Sequence, residues 1–375
     1  MEFRDLKRQY QVLKKEIDKN VEDVMTSGAF ILGKPVADLE EKLANYVGRK
    51  HCVGVANGTD ALQLALMAYD IGPGDAVFTA DFTYFASAGS ASILGATPVL
   101  VDIDLRTFNM SAVDLEERIK AVLAEGKLKP KFVVPVDLFG LPADFTQILP
   151  VAEKYGLRVL EDGAQGFGGR LNGKVACSFG DISTTSFFPA KPLGCYGDGG
   201  AIFTDDNEID ARLRSLRAQG KSPIDKYDNR EIGMNSRLDT LQAAILLPKF
   251  KAFVEYELDA VNKVADKYTE AFKDKLVTPL ISEGFYSSWA QYTLLLDSGE
   301  QRKSMQTHLK EKGIPTMIYY PRGLHQQAAY AWMNLSDEEY PNTSEATKRV
   351  LSLPMHPYMT EEDQDYIIKS VLEEL

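Results

Sequence analysis

Residues 52–72 read CVGVANGTDALQLALMAYDIG, an apolar strand pattern that passes through a short turn into a helical pattern. We predict a strand over 52–57 and a helix whose first turn holds Gly58, Thr59 and Asp60. Such a turn directs free backbone amides and the positive end of the helix dipole outward, so a phosphate is its natural ligand. Taken alone, an ordinary helix start capped by Thr59 or Asp60 explains the turn at least equally well.

The strand-then-helix pattern repeats down the chain to residue 162. Apolar segments at 76–84, 97–104, 131–138 and 157–162 alternate with helical segments at 86–95, 112–125 and 144–155. Alternation of this kind, with Val-rich strands, predicts an α/β fold with a mostly parallel sheet between layers of helices. Such sheets bind ligands beyond the carboxyl ends of their strands, where this sequence places Gly58, Thr59, residues 81–84, Asp137, Asp162 and Gln165.

Asp162 ends the apolar strand RVLED and should lie at the rim of the sheet. A carboxylate in a partly desolvated pocket can hold a cationic ring nitrogen through a charge-assisted hydrogen bond. Glu161 should point to the opposite face because side chains alternate along a strand, so we assign only Asp162 to the site. The alternative is that Asp162 caps the following turn.

Lys191 is the candidate nucleophile, within the stretch SFFPAKPLGCYGDGGA (186–201). Pro189 and Pro192 fix the backbone around it, and its other neighbours are apolar residues and glycines that cannot pair with an amine. A lysine in a dry, rigid pocket loses its proton more easily and can then attack a carbonyl, as a Schiff-base lysine must. The alternative is a surface lysine in a loop.

The length of 375 residues predicts two domains, because single cores stop growing below this size. We place a large domain at 1–250, with the N-terminal helix included, and a smaller α/β domain at 251–375. Near and after the boundary we predict a helix over Thr240–Phe250, a long helix over 249–275, a strand over 315–321 and a last helix over 360–375.

The net charge of −12 and the isoelectric point near 5.0 argue against nucleic acid as the main partner. Cys52, Cys177 and Cys195 are an odd number without CxxC spacing, which indicates a reducing compartment and no disulfide framework. The four histidines form no metal-ligand pattern with them. No apolar stretch approaches the roughly 20 residues that span a bilayer. These features predict a cytoplasmic protein with no membrane association and no metal.

Five motifs together resemble a known family. NGTDAL (57–62), DFTYFASA (81–88), EDGAQGFG (161–168), SFFPAKPLGCYGDGGAIFT (186–204) and GMNSRLDTLQAAIL (233–246) are similar, in order and spacing, to the motif series of the DegT-type sugar aminotransferases. These are fold-type-I pyridoxal-phosphate enzymes. The resemblance implies a large cofactor-binding domain with a mostly parallel sheet, a small C-terminal domain, and pyridoxal 5'-phosphate as cofactor.

The resemblance also implies a role for each candidate residue. Lys191 would form the Schiff base, Asp162 would pair with the pyridine nitrogen, and Gln165 would lie near the phenolic oxygen. Gly58, Thr59 and Ser186 would hold the phosphate, Tyr84 would stack on the ring, and Tyr320 and His325 would contact substrate.

Asn235, in GMNSR, would reach across a two-fold interface to the phosphate of the partner's cofactor, with Arg237 nearby for substrate. The protein would then be an obligate homodimer with shared active sites. From the residues alone, an Asn or Ser that caps the next helix is the simpler interpretation of this loop.

Within the family, the chain resembles enzymes that aminate nucleotide-linked 3-oxo sugars with glutamate as donor, for cell-surface polysaccharide. We rank UDP-2-acetamido-2-deoxy-3-oxo-glucuronate first and a dTDP-linked 3-oxo-6-deoxyhexose second. Basic side chains such as Arg237, Lys34 or Arg322 would meet carboxylate or pyrophosphate. In those enzymes a histidine often precedes the Tyr-Pro matched by Tyr320 and Pro321, whereas Tyr319 stands here.

Two other classes of protein stay open. A sugar dehydratase of the same fold typically carries histidine in place of the Schiff-base lysine, and Lys191 counts against it. A non-catalytic regulatory protein has no need of the combination of Lys191, Asp162, Gln165 and Ser186. A dinucleotide site at GFGGRLNG is a poor match, because the run lacks a G-x-G-x-x-G that opens into a helix.

Overall fold

A computed structural model describes residues 1–225 and 227–375 of the chain, and its elements follow the predicted alternation through residue 162. The strands are β1 (His51–Val55), β2 (Asp75–Ala80), β3 (Thr97–Val101), β4 (Lys129–Val134), β5 (Arg158–Asp162), β6 (Arg170–Leu171), β7 (Lys174–Val175), β8 (Ile182–Ser186), β9 (Gly200–Thr204), β10 (Phe285–Tyr286), β11 (Tyr292–Leu295) and β12 (Val350–Leu353). The helices are α1 (Leu6–Ser27), α2 (Lys34–Val47), α3 (Gly58–Met67), α4 (Ala86–Ile93), α5 (Ala112–Glu125), α6 (Phe145–Lys154), α7 (Asn207–Leu216), α8 (Thr240–Ala252), α9 (Leu258–Phe272), α10 (Gly299–Glu311), α11 (Pro341–Arg349) and α12 (Glu361–Glu373).

The central sheet has seven strands in the order β1-β9-β8-β5-β4-β2-β3. The strands from β8 to β3 pair in parallel, and β9 alone runs antiparallel to both of its neighbours, β1 and β8. The prediction of a mostly parallel sheet is therefore confirmed. Because β8 and β9 are antiparallel neighbours, the segment 187–199 that joins them is held to the sheet at both ends, and Lys191 lies within it.

Two small sheets lie apart from the central one. One joins β10 to the hairpin of β6 and β7, and the other pairs β11 with β12. The prediction of a strand over 315–321 is wrong, since only Met317 makes a bridge there, to Ser352. Pro315 and Pro321 bound the segment, and proline has no N–H to donate to a ladder.

The segment from residue 240 to 272 is one continuous helical run. A π-helical turn at Phe253–Glu257 joins α8 to α9. The two separate helices predicted on either side of residue 250 are therefore joined. The division of the chain into domains at residue 250 stays a prediction.

The sheet is buried on both faces, as parallel strands require. Core residues such as Val53, Phe78, Val133 and Leu160 are fully shielded from solvent. The three cysteines are all free and buried. Among the described residues, no helix combines the length and apolar character needed to cross a bilayer.

Candidate active site

A cavity of about 650 Å³ opens at the carboxyl ends of the parallel strands. Its wall is formed by the starts of α3 and α4, the end of β5, the segment between β8 and β9, and the residues around 318–327. The predicted site residues that line the cavity are Gly58, Thr59, Tyr84, Asp162, Gln165, Ser186, Lys191 and Tyr320. Arg322, one of the basic side chains expected to meet an anion, also lines it. The position follows from the sheet topology, as in other open α/β sheets.

The first turn of α3 forms one end of the cavity. Asn57 caps the helix by accepting a hydrogen bond from the Asp60 amide at 2.8 Å, so neither Thr59 nor Asp60 is the cap. Gly58 faces Ser186 so closely that an added Cβ would lie 2.7 Å from the Ser186 Cβ. The first amides of a helix have no partner within it. With the hydroxyls of Thr59 and Ser186 beside them, they form a set of donors suited to a phosphate.

Asp162 lies buried at the end of β5, with 4% of its surface exposed. Its Oδ2 accepts a hydrogen bond from Ser87 Oγ at 2.8 Å, and its Oδ1 accepts one from the Ala164 amide at 3.2 Å. Burial raises the pKa of Asp162, and these two hydrogen bonds and the positive charge of Lys191 oppose the shift. A cation in the cavity would stabilise the carboxylate further, as a protonated ring nitrogen does.

Glu161 points away from the cavity, as strand alternation predicts. Its carboxylate accepts hydrogen bonds from the amides of Cys177 at 2.6 Å and Phe179 at 2.8 Å. It therefore fixes the chain that follows β7 and is not part of the cavity wall.

Lys191 extends into the cavity from a tight loop. Its own amide donates to the Phe188 carbonyl at 2.8 Å, and the Cys195 amide donates to the Phe187 carbonyl at 2.7 Å. Burial lowers the pKa of Lys191 to about 8, against the opposing effect of Asp162. No hydrogen-bond acceptor or carboxylate within ion-pair distance engages this amine in the described part of the chain. A sizeable fraction of the amine is therefore neutral near pH 8 and able to act as a nucleophile.

Gln165 links the cavity to the backbone beneath it. Its Oε1 accepts a hydrogen bond from the Phe139 amide at 2.9 Å, and its Nε2 donates to Tyr320 Oη at 3.0 Å. Burial raises the pKa of Tyr320, so its hydroxyl stays protonated. Tyr84, by contrast, is 58% exposed at the cavity rim, where its ring is free to cover a planar ligand.

His325 does not line the cavity. Its Nδ1 bonds Asp81 Oδ2 at 2.5 Å, and its Nε2 lies 3.1 Å from Asp337 Oδ1. Burial is the largest single effect and works against the imidazolium, but the hydrogen bonds and negative charges of Asp81 and Asp337 together outweigh it and raise the pKa of His325. Both ring nitrogens are occupied, so the structure assigns this side chain to a link between β2 and the segment after Gly323, and not to a substrate contact within this chain.

Asn235 and Arg237 also lie outside the cavity of their own chain. The Arg237 guanidinium donates to Asn235 Oδ1, and Asn235 is exposed. Lys34 pairs with Asp38 at the start of α2, on the surface. Neither Arg237 nor Lys34 lines the cavity of its own chain.

Sequence reasoning missed two residues that organise the site. Ser87, whose hydroxyl donates to Asp162, lies in α4 three residues after Tyr84. Residues three apart at the start of a helix point to the same side, so this spacing from a predicted site residue indicates that Ser87 also faces the site. Asn57 precedes the helix as a typical N-cap. Its side-chain oxygen accepts a hydrogen bond from the backbone amide three residues later, that of Asp60.

The donor set fits pyridoxal 5'-phosphate. The α3 turn with Ser186 suits the phosphate, the buried Asp162 suits a ring nitrogen that carries a proton, and the unpaired Lys191 amine suits the aldehyde carbon. When bound, this cofactor supplies an electron sink for bond cleavage at the substrate carbon. The chain supplies the orientation and a base, since Lys191 can accept and return a proton at that carbon.

Comparison with known proteins identifies the family. Residues 11–372 match the model of the DegT/DnrJ/EryC1/StrS aminotransferase family. The UDP-2-acetamido-2-deoxy-3-oxo-D-glucuronate aminotransferase of Pseudomonas aeruginosa is 46% identical over 96% of both chains. A pleiotropic regulatory protein of Geobacillus stearothermophilus is 43% identical over 98% of this chain and 97% of its own. The dTDP-3-amino-3,6-dideoxy-alpha-D-galactopyranose transaminase of Aneurinibacillus thermoaerophilus is 39% identical over 99% and 98%.

Solved structures agree with this assignment. A DegT DnrJ EryC1 StrS aminotransferase from Brucella abortus superposes with a TM-score of 0.96 at 44% identity, over 100% of this chain and 99% of that chain. NtdA from Bacillus subtilis, solved with the bound cofactor PMP, superposes with a TM-score of 0.87 at 28% identity, over 96% and 82%. The chain therefore belongs to the DegT/DnrJ/EryC1/StrS aminotransferase family and is a pyridoxal-phosphate-dependent sugar aminotransferase.

Proposed function

We propose that the protein transfers an amino group from glutamate to UDP-2-acetamido-2-deoxy-3-oxo-glucuronate, for cell-surface polysaccharide synthesis. The observation that carries the choice of sugar is the 46% identity, over 96% of both chains, to the Pseudomonas aeruginosa aminotransferase named for that substrate. The 39% identity to a dTDP-sugar transaminase makes a dTDP-linked 3-oxo-6-deoxyhexose the second candidate.

The charge of the cavity wall supports an anionic substrate. Among the described residues that line the cavity, Lys191 and Arg322 are the cations. Lys191 is committed to the cofactor in this proposal, so Arg322 is left for the acidic group of the sugar, the diphosphate or glutamate. A guanidinium suits each of these anions because its donors match two oxygens at once. Both candidate sugars carry a diphosphate, so Arg322 is compatible with either and the choice between them depends on the identity to the Pseudomonas aeruginosa enzyme.

The site residues take the following roles in this proposal. Lys191 is the nucleophile and proton carrier, and Asp162 holds the pyridine nitrogen. Gln165 lies at the phenolic oxygen, Tyr84 covers the ring, and Gly58, Thr59 and Ser186 hold the phosphate. Tyr320, fixed by Gln165, contacts substrate within the same wall.

The functional unit in this proposal is a homodimer with shared sites, in which Asn235 and Arg237 complete the partner's cavity. Two features support it. Both residues lie outside their own cavity, and the flanking Ile224 and Ile232 are 86% and 89% exposed. Large apolar side chains exposed beside a polar loop mark interaction surfaces. A second copy that covered them would bring the Arg237 loop to a cavity.

The substrate is tested by running the reaction backwards, since the amino sugars are more stable than the oxo sugars. The UDP-linked 3-amino uronate and the dTDP-linked 3-amino-6-deoxyhexose are offered separately with 2-oxoglutarate, and cofactor absorbance and glutamate are followed. Turnover of the first sugar alone is expected. Preference for the second would replace the substrate assignment. No glutamate from either sugar would contradict both.

Borohydride reduction of the yellow protein tests the nucleophile in the same preparation. The covalent adduct should map to the peptide that contains Lys191, and Lys191→Ala should bind cofactor without turnover. Lys249, which is also buried and also has a pKa lowered by burial to about 8, provides the matched control. An adduct on Lys249 would remove Lys191 from its role.

A further inference from the structure

The N-terminal segment runs directly behind the loop that carries Lys191. Arg4 Nη2 donates a hydrogen bond to the Pro192 carbonyl at 3.3 Å, one residue after the lysine. The segment is held on its other side, where the Phe3 carbonyl accepts from the Met355 amide at 3.2 Å and the Phe3 ring packs on Tyr319 with centroids 6.4 Å apart. It therefore joins two parts of the cavity wall, the Lys191 loop and the Tyr319 wall.

The Arg4 guanidinium is a charge without a close counterion. No carboxylate lies within ion-pair distance of it among residues 1–225 and 227–375, and the Pro192 carbonyl is its one hydrogen-bond partner there. Glu257 is the nearby acid, but Gln9 donates to its Oε1 at 2.8 Å and Tyr358 donates to the same atom at 2.5 Å. Burial lowers the pKa of Arg4 and Glu257 opposes the shift, but an arginine keeps its charge at any physiological pH.

The groups around the Lys191 amine have opposing effects on its pKa. Burial is the main cause that lowers the pKa of Lys191, Asp162 acts against it, and Arg4 adds to it. The surrounding elements also place Lys249 near Arg4, together with the acid Glu257. His356 lies there too, but burial lowers its pKa to about 4, so it is neutral at pH 7 and adds no charge. Without Arg4, the negative charge of Asp162 would act on the amine with less opposition.

We propose that Arg4 is a positioning residue for Lys191. The Arg4 guanidinium holds the Pro192 carbonyl behind the loop, and its positive charge offsets the effect of the Asp162 carboxylate on the Lys191 amine. The inference rests on the proposed role of Lys191. It assigns a part in the site to a segment that lies 188 residues before Pro192 in sequence and does not line the cavity.

Three variants separate the charge from the hydrogen bond. Arg4→Gln removes the charge and keeps a donor for the Pro192 carbonyl, Arg4→Lys keeps the charge, and Arg4→Met removes both. Lys7→Gln is the matched control, because it removes one positive charge from the same segment at a side chain that is 87% exposed. Thermal unfolding of each variant shows whether the fold is intact.

The measurement in the cofactor-loaded, full-length protein is a titration of the visible absorbance against pH, since the colour reports the protonation of the nitrogen that Lys191 shares with the cofactor. Arg4→Gln and Arg4→Met should shift the midpoint upward by roughly half a unit or more. Arg4→Lys and Lys7→Gln should titrate like the wild type. Midpoints within a tenth of a unit for all four folded variants would overturn the proposal.

A second measurement does not depend on the cofactor. Acetic anhydride acylates neutral amines, so its rate at Lys191 in the cofactor-free, full-length protein, read by peptide mass spectrometry, gives the neutral fraction. At pH 7 acylation of Lys191 should fall roughly threefold in Arg4→Gln, whereas unchanged acylation would overturn the proposal. If the protein binds no pyridoxal phosphate, the aminotransferase proposal fails, and this measurement still decides the effect of Arg4.

Discussion

The carboxylate of Asp162 has a defined environment at the scale of single residues. Ser87 and the Ala164 amide fix its two oxygens, so the group cannot turn away from the cavity. Its burial makes the charged form costly in the absence of a cation. The side chain is therefore built to bind a positive partner, and its charge is the property to test.

Asp162→Asn keeps the shape and removes that charge. We expect the rate of the first half-reaction, followed by cofactor absorbance after mixing with glutamate, to fall by roughly a hundredfold or more, because the electron sink weakens when the ring nitrogen loses its proton. Asp274→Asn, at an exposed position, is the control and should leave the rate unchanged. A loss below about tenfold, roughly 1.4 kcal/mol of barrier, would mean that another group holds the nitrogen.

Gly58 is constrained by contact and not by its backbone angle. Because a Cβ there would lie 2.7 Å from the Ser186 Cβ, Gly58→Ala must separate α3 from β8. Overpacking of this kind costs about 1–3 kcal/mol, so the dissociation constant of the cofactor should rise roughly tenfold or more. Gly72→Ala, where the nearest atom is 3.8 Å away, should bind cofactor normally in the same fluorescence titration. Equal cofactor affinities for the two variants would show that the close contact of Gly58 with Ser186 is not needed for cofactor binding.

At the scale of elements, β4 and β5 bring two acids together beneath the cavity. Asp137 follows β4, and its Oδ2 is buried with no hydrogen-bond partner among the described residues, with the carboxyl of Glu161 in β5 as the acid that acts on it. Burial and then the charge of Glu161 raise the pKa of Asp137 well above its usual value. Burial also raises the pKa of Glu161 to about 7, against the opposing effects of Asp137 and of the hydrogen bonds from two amides. We therefore expect the two buried carboxyls to hold one proton between them.

This pair gives a pH dependence whose sign follows from the raised pKa. The folded state binds a proton that the unfolded state releases above about pH 4, so its contribution to stability is lost as pH rises. Asp137→Asn replaces the carboxyl of residue 137 with an amide, which has N–H donors for Glu161 but does not titrate. The free energy of unfolding of the wild type, relative to this variant, should fall by up to roughly 1.4 kcal/mol per pH unit between about pH 5 and 8. Urea unfolding measures it, and a flat difference would rule out the shared proton. Asp274→Asn should give no slope.

The elements differ in how well the sequence predicts them. The helix over 112–125 has its predicted bounds, because apolar spacing, the Ser111 cap and Gly126 agree locally. The segment 315–321 has strand-like residues, but its partner β12 is supplied by a distant part of the chain and its prolines cannot donate. The same limit applies to the site. Lys191 and Asp162 stand out in the sequence, whereas the contact of Ser87 with Asp162 and that of Asp81 with His325 exist only in three dimensions.

At the scale of the whole molecule, the proposed dimer makes a prediction that no single chain could satisfy. Lys191→Ala lacks the nucleophile, and Arg237→Gln lacks the side chain that the partner's cavity needs. Each variant alone should be inactive, but co-expression of both should restore about a quarter of wild-type activity, since half the dimers are mixed and one of their two sites is intact. Two copies of Lys191→Ala carrying different tags are the control for the co-expression. No recovery would place Arg237 and Lys191 in the same chain's site, or outside the site altogether.

The position of β9 between β1 and β8 has a consequence for the order in which the protein folds. β8 and β9 are joined by the segment 187–199 and are close in sequence, whereas the pairing of Val55 with Gly200 and the contact of Gly58 with Ser186 join regions well over a hundred residues apart. Contacts between distant segments form late, because the chain must close a long loop to make them. We therefore expect the phosphate end of the site to form late in the assembly of the sheet. On this expectation a newly made chain binds its cofactor only after the central sheet has formed, and the cofactor then stabilises the folded state by mass action.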